Sequence, residues 1–231
     1  IMIGQKTTDK LNKINIKTLG DLANSDPEIL RKLLGINGLR IYNWANGWDN
    51  SKVRDYYETI PIKSLGRSIT CKSDLLTFEE LRAVVQKLSE DLSKRLIENN
   101  YLARGISIGY RKNSLVYESY DTLLAYPSNS TLEISAKAME VVKNKFSFVN
   151  GEKIRAVYIR AIKLVENRDS VQVDMFNDIE KHFKYINLEK AVYKIREKYG
   201  RDSISYGNLL GDLKMPSDGR ELVTMPSSFL A

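Results

Sequence analysis

Two glycine turns stand between short helical segments in the first fifty residues: "IMIGQKTTDKL" around Gly4, and "LLGINGLRIY" with Gly35 and Gly38. Between two helices, such a turn points backbone N–H groups outward, and the positive ends of the helices add to their field. The natural ligand is a phosphate. Glycine suits the position because a side chain would hold the phosphate away. Lys6, Thr7, Asn37 and Arg40 stand where they could add contacts. Gly35 alone is an ordinary helix terminator. Two such turns in one small block point to DNA, with RNA or a protein partner left open.

A second feature lies far downstream. "RDSVQVDMFND", residues 168–178, has neither helix nor strand period, yet it places Met175 and Phe176 side by side among polar neighbours. A buried Met-Phe pair needs a core. Either the stretch packs back onto the domain before it, or another protein supplies the pocket. Other chemistry is thin. The single His182 lacks company for a zinc site or a catalytic triad and reads as a packing or surface histidine. The single Cys71 cannot form an internal disulfide, which fits a reducing, cytoplasmic setting. No acidic cluster suggests a metal-dependent nuclease. Neither a catalytic residue nor a metal site is therefore expected, and no cofactor in this chain.

The charge distribution agrees with a polyanion partner. Of the net +7, residues 1–60 hold 9 basic against 7 acidic side chains, residues 61–165 hold 17 against 11, and residues 166–231 hold 10 against 11. The excess sits in the middle block. No apolar run approaches the length of a membrane span, and no signal-peptide pattern opens the chain.

The elements that must position these residues are punctuated clearly. In the first block, Thr18 and Asp21 have capping-box spacing. Asp26 caps a helix that opens on Pro27 and closes at Gly35, and a further helix closes at Gly47. Ile29, Leu30, Leu33, Leu34, Ile41, Trp44 and Ala45 are its expected core. After a linker over 51–61, "IKSLGRSITCK" reads as a strand. A long helix starts at Thr77, with Glu80 as box partner, and buries Phe78, Leu81, Val85, Leu88, Leu92 and Leu96. In "ARGISIGYRKN", Ile106, Ile108 and Tyr110 alternate with Ser107, Gly109 and Arg111. "VYESYDTLLAY" is its hairpin partner. A helix from Ser130, boxed by Glu133, and the strand "IRAVYIRAIKLV" complete β-α-β-β-α-β. The predicted fold is α+β: a small all-α, helix-hairpin-helix-like domain over 1–50, then one sheet over 62–165 with two helices on one face and the other face open. Residues 166–231 read as a C-terminal tail with a short helix from about Asn187 to Tyr199.

In this order the pieces resemble a known family. "GQKTTDKLNKINIKTLGDLANSD" with "LLGINGLRIYNWANGWDN" is similar to the thumb of a Y-family, translesion DNA polymerase. "KSLGRSITCKSDLLTFEELRAVVQKLSEDLSKRLIENNYLARGISIGYR" resembles the start of its little-finger domain, which "YDTLLAYPSNSTLEISAKAMEVVKN" and "IRAVYIRAIKLV" continue. The resemblance is nearest to the DNA polymerase IV and V type of low-GC Gram-positive bacteria and their mobile elements.

The resemblance implies that Gly4 and the Gly35–Gly38 turn hold duplex phosphates, and that Arg67, Ser68 and Thr70 follow the template backbone. Ser107, Arg111 and Arg160 fall on strands that would share that surface. It implies that Gln172, Val173, Asp174, Met175 and Phe176 form a pentapeptide for the bacterial replication sliding clamp, with Gln172 first and the Met-Phe pair as anchors. Each anchor would contribute roughly 1.5–3 kcal/mol on burial. The family's palm and fingers, with the carboxylates that bind two Mg²⁺ ions, precede the thumb. The chain begins where the thumb begins, so the resemblance implies the C-terminal portion of a longer polymerase, monomeric, working in DNA repair and SOS mutagenesis, and inactive alone. The competing expectation is a stand-alone, non-catalytic interaction module with a little-finger-like fold.

Overall fold

The computed structural model describes residues 3–58, 61–149, 151–167 and 178–216. The chain divides into two compact units, Ile1–Ile60 and Pro61–Ala231.

The first unit is four short helices: α1 (Gln5–Asn12), α2 (Leu19–Ala23), α3 (Pro27–Leu34) and α4 (Ile36–Ala45). Local chemistry sets their starts. The Thr18 Oγ1 accepts from Asp21 N–H at 3.1 Å while the Asp21 carboxylate accepts from Thr18 N–H at 2.9 Å, closing a capping box. Asp26 accepts from Glu28 N–H at 2.8 Å, and Pro27 takes the first helical position. Gly35, at φ 67°, ends α3 and starts α4 in one residue. The core is Leu11, Ile16, Leu22, Leu30 and Ile41. Ile29 and Trp44 are not in it, being 51% and 37% exposed. Four short helices enclose too little space to cover every apolar position that helical spacing suggests.

The second unit is built on strands β1 (Leu65–Leu75), β2 (Tyr101–Lys112), β3 (Tyr117–Ser128) and β4 (Ile154–Glu166). They form one sheet in the order β1-β4-β2-β3, all neighbours antiparallel. Helices α5 (Phe78–Glu98) and α6 (Thr131–Lys145) connect β1 to β2 and β3 to β4. Their buried stripes meet Ile69, Cys71, Ile106, Ile108, Tyr110, Val157, Ile159 and Ala161 from the sheet. The sheet and its two helices are those that periodicity predicts. The α5 cap forms as expected, with Glu80 N–H donating to Thr77 Oγ1 at 3.2 Å. The Ser130–Glu133 box does not form. Glu133 instead accepts from Ser128 Oγ and pairs with His182 Nδ1 at 2.9 Å.

The cap of α6 comes from elsewhere in the chain. Helix α7 runs Ile179–Tyr199, a full 21 residues rather than the short helix expected from Asn187. Its buried positions are His182, Ile186, Glu189 and Val192. Half of that face is polar, which hides it from a hydrophobic count. Glu189 reaches the α6 N-terminus, accepting from Thr131 N–H at 2.7 Å and Thr131 Oγ1 at 2.9 Å. Burial pushes the Glu189 carboxyl above its usual range, while these donors oppose the shift. Arg196 ties α7 to α5 through Glu90 at 2.6 Å. Beyond α7 the chain crosses back: Asn208 donates to Gln86 at 2.7 Å, and Lys72 N–H on β1 donates to the Lys214 carbonyl at 2.7 Å. Through residue 216, then, this segment is a strap over the helical layer and not a loose tail. His182, 3% exposed, is a packing histidine.

At the turn end of the β2–β3 hairpin, Glu118 accepts from Tyr110 and Tyr120 hydroxyls at 2.7 and 2.8 Å and from Lys112 at 2.8 Å. The Lys112 ammonium first, then the two hydroxyls, hold its carboxyl down at about 2, against 4.5 ordinarily. A depressed acid stabilises the fold above its unfolded value and loses that contribution as pH falls toward the folded one. Glu118→Gln is therefore expected to lower unfolding free energy by about 1–2 kcal/mol at pH 7. The gap should close as pH drops from 4.5 toward 2, as read by urea unfolding across pH. A gap that stays constant over that range would show that the ion pair is not its source.

Candidate nucleic-acid interface

Antiparallel register turns the open face of the sheet into rows. One row reads Gly66, Arg160, Ser107, Asp121 across β1, β4, β2 and β3. The next reads Ser68, Tyr158, Gly109, Ser119, and the third Thr70, Ala156, Arg111, Tyr117. Gly105 with Ile162 and Leu123 continues the surface. Since alternate residues face alternate sides, the burial of Ile106, Ile108, Val157 and Ile159 commits all of these to the side away from α5 and α6.

Five of the expected residues thus come together from three strands: Ser68, Thr70, Ser107, Arg111 and Arg160. Each is a hydrogen-bond donor. Arg160 is exposed, and its Cβ and Cγ pass 3.3 and 3.4 Å from where a Cβ on Gly66 would stand. The missing side chain gives the arginine stem its path across β1. The Arg111 guanidinium lies 5.5 Å over the Tyr117 ring, which orients its fork, while its Nε is buried without a hydrogen-bond partner among the described residues. Among the charged groups on these rows, Asp121 on the edge strand is the single anion.

Arg67 is not with them. One residue before Ser68, it must face the other way. Its Nε lies 3.8 Å from Asp91 on α5, buried and without a hydrogen-bond partner among the described residues. Asp91 also accepts from Arg201 at 2.6 Å, and Arg95 beside it donates to the Gly66 carbonyl at 3.1 Å. Arg67 belongs to a charged seam between strand, helix and strap. The expectation that it lines the same surface as Ser68 and Thr70 is corrected by strand parity.

In the helical unit the two glycine turns separate in kind. Gly4 caps α1, with its carbonyl accepting from Thr7 and Thr8 N–H at 2.9 and 3.0 Å. It has open space around it, and Lys6 is exposed while Thr7 is half-buried. Gly35, Asn37 and Arg40 are exposed at the start of α4, whose first N–H groups belong to Ile36 and Asn37. Gly38 is different. It is buried, its N–H donates to the Gly35 carbonyl at 3.0 Å, and a Cβ there would stand 2.1 Å from the Leu30 carbonyl oxygen. Gly38 lets α3 and α4 cross closely, and it does not face a ligand.

Among the residues of the open face that escaped sequence reasoning are Gly66, Tyr117 and Tyr158. Tyr158 had a signal, since it lies two positions before Arg160 on the same strand and must share its face. Residues 172–176 lie outside the described residues. Among the described residues no group of three or more His, Cys, Asp or Glu side chains is placed to hold a metal, and no helix is long and apolar enough to cross a membrane. Cys71 is 2% exposed, and burial pushes its thiol up to about 11.

A four-stranded antiparallel sheet with a helical layer on one side and a donor-studded open face defines a class that comparison with known proteins identifies. Residues 62–175 match the impB/mucB/samB family C-terminal domain, and the likeness to DNA polymerase IV proteins extends over nearly the whole chain. The chain is 34% identical to the DNA polymerase IV of Acetivibrio thermocellus, over 92% of its own length and 53% of that protein. To DNA polymerase IV 1 of Bacillus subtilis it is 32% identical, over 90% of its length and 49% of that protein. It therefore spans about half the length of these relatives. A solved Y-family DNA polymerase chimera of Dbh and Dpo4 shares the fold, with a TM-score of 0.55 at 17% identity, over 72% of this chain and 46% of that one.

The contrast between the glycines is testable. Both tryptophans, Trp44 and Trp48, lie in the helical unit, so their fluorescence reports its unfolding alone. Gly38→Ala should destabilise that unit by about 1–3 kcal/mol through overpacking, whereas Gly4→Ala should cost under about 1 kcal/mol. Equal effects would mean that the α3–α4 crossing is looser than described.

Proposed function

We propose that this chain is the DNA-gripping portion of an error-prone, translesion DNA polymerase. Each unit holds the phosphate backbone of primer–template DNA without reading its sequence. One observation carries the reading: Ser68, Thr70, Ser107, Arg111 and Arg160, scattered over 93 residues of sequence, converge as donors on the sheet face opposite the helical layer. Small residues between them leave that face low enough for a polyanion to reach the strands. In the helical unit, the α1 and α4 N-termini with Lys6, Asn37 and Arg40 offer a second set of donors. The likeness to DNA polymerase IV proteins makes DNA the polyanion to test first.

Affinity measured against salt concentration tests this directly. Each phosphate neutralised by an arginine should contribute about −0.9 to the log–log slope. Arg160→Ala and Arg111→Ala should each lower the slope by roughly one unit, with no change in preference among duplex sequences. Arg67→Ala should leave it unchanged, since that side chain faces α5. Binding that ignores salt, or no binding at low salt, would sink the reading.

The reading extends to a clamp-binding role for Gln172, Val173, Asp174, Met175 and Phe176. Its support is the spacing of Gln172 before the Met-Phe pair. The flanks are anchored on both sides: Asn167 N–H donates to the Asn100 carbonyl at 2.9 Å, and Asp178 caps α7 by accepting from Lys181 N–H at 2.9 Å. A short peptide so held buries little area, which suits a Kd on the order of micromolar, near −8 kcal/mol. Replacing both Met175 and Phe176 with Ala should abolish binding to a purified bacterial sliding clamp while leaving DNA affinity intact. Loss of the sheet domain's fold in that double variant would assign the pair to the core instead.

A further inference from the structure

Tyr158 stands at the middle of the open face, on central strand β4, with Ser68 and Gly109 beside it in register. Its ring does not stand out from the sheet. A Cβ built on Gly109 would lie 2.2, 2.3 and 2.6 Å from the Tyr158 Cε1, Cζ and hydroxyl oxygen. The far edge of the ring therefore occupies the space that any side chain at Gly109 would fill. The phenol lies across β2, and its hydroxyl is carried to a point over that strand, between Ser107 and Arg111, the same-face neighbours of Gly109.

On these grounds we propose that Tyr158 is a phosphate contact of the DNA-binding face and that Gly109 is the residue that positions it. The inference rests on the proposed DNA-gripping role and goes beyond it. A ring lying flat on a sheet cannot slip between bases, so stacking is not what it offers. Its hydroxyl is a neutral donor set among Ser107, Arg111 and Arg160. Converging donors of this kind suit a phosphate oxygen. The half-buried ring keeps that donor in place and loses little freedom when DNA arrives. A neutral donor differs from an arginine in one measurable respect. It strengthens binding without displacing a counterion, so it contributes affinity and no salt slope.

The test uses the full chain and a fluorescent primer–template duplex, with anisotropy read over a series of salt concentrations. Tyr158→Phe should weaken binding about 3- to 10-fold with the slope unchanged, in contrast to Arg160→Ala. Gly109→Ala should push the ring aside, because its clash is with the far end of a side chain, and should weaken binding to a similar extent. In a Tyr158→Ala background the Gly109→Ala change should have no further effect, a coupling that two independent structural losses would not produce. Thermal unfolding monitored alongside shows whether the sheet is intact. If the parent chain binds duplex and Tyr158→Phe binds equally well, the phosphate contact is wrong while the wider reading stands. Should Gly109→Ala weaken the Tyr158→Ala chain as much as the parent, Gly109 does not act through Tyr158. A parent chain that binds no DNA removes both.

Discussion

Burial of one side of β2 and β4 against α5 and α6 is the constraint on which the rest depends. Ile106, Ile108 and Tyr110 on β2, with Val157, Ile159 and Ala161 on β4, form the floor of the core. A strand has two sides and a period of two, so this burial leaves no freedom for the residues between them. Ser107, Gly109 and Arg111, and Tyr158 and Arg160, are turned outward by a requirement that has nothing to do with any ligand. The cost of slipping either strand by one residue would be the whole buried set, each side chain contributing about 1.5–3 kcal/mol. The donor face is thus as rigid as the core behind it.

The helical layer is secured differently on its outer side. Helix α7 and the strap that follows are held by carboxylates and arginines: Glu189 on the α6 N-terminus, Arg196 on Glu90, Arg201 on Asp91. Glu90 is 4% exposed and Glu189 is 5% exposed. Such groups are costly to bury and strongly directional once paired, so they select one docking geometry where an apolar helix could slide. The family match ends at residue 175, and α7 with its strap lies beyond it. Lys214 reaches back to Asp74 and Glu80, which extends the grip to the far end of β1.

Glycines serve opposite purposes in the two units. Gly38 makes room for protein, letting α3 and α4 touch, while Gly35 with φ 67° turns the chain between them. On the sheet, Gly66 and Gly109 make room for side chains of a neighbouring strand, the Arg160 stem and the Tyr158 ring. At Gly38, Gly66 and Gly109 an absent Cβ sets where a neighbour lies.

Local signals alone determined much of this protein. The caps at Thr18, Asp26 and Thr77, the long stripe of α5, and the alternation in β2 and β4 are written in spacings of two to four residues, within reach of reading along the chain. So are the element order and the separation of Ser107 and Arg111 from Ile106 and Tyr110. What only the tertiary structure decided were contacts between residues far apart. That Arg67 faces Asp91, that Glu189 caps Thr131 across 58 positions, and that Gly38 meets Leu30 depend on which helix lies over which strand. The full length of α7 was hidden because half of its inner face is polar, and polar positions are recognised as buried only when their partners are seen. Tyr158 over Gly109 is of the same kind, since the sequence shows a tyrosine and a glycine 49 residues apart and only the sheet register brings them into contact.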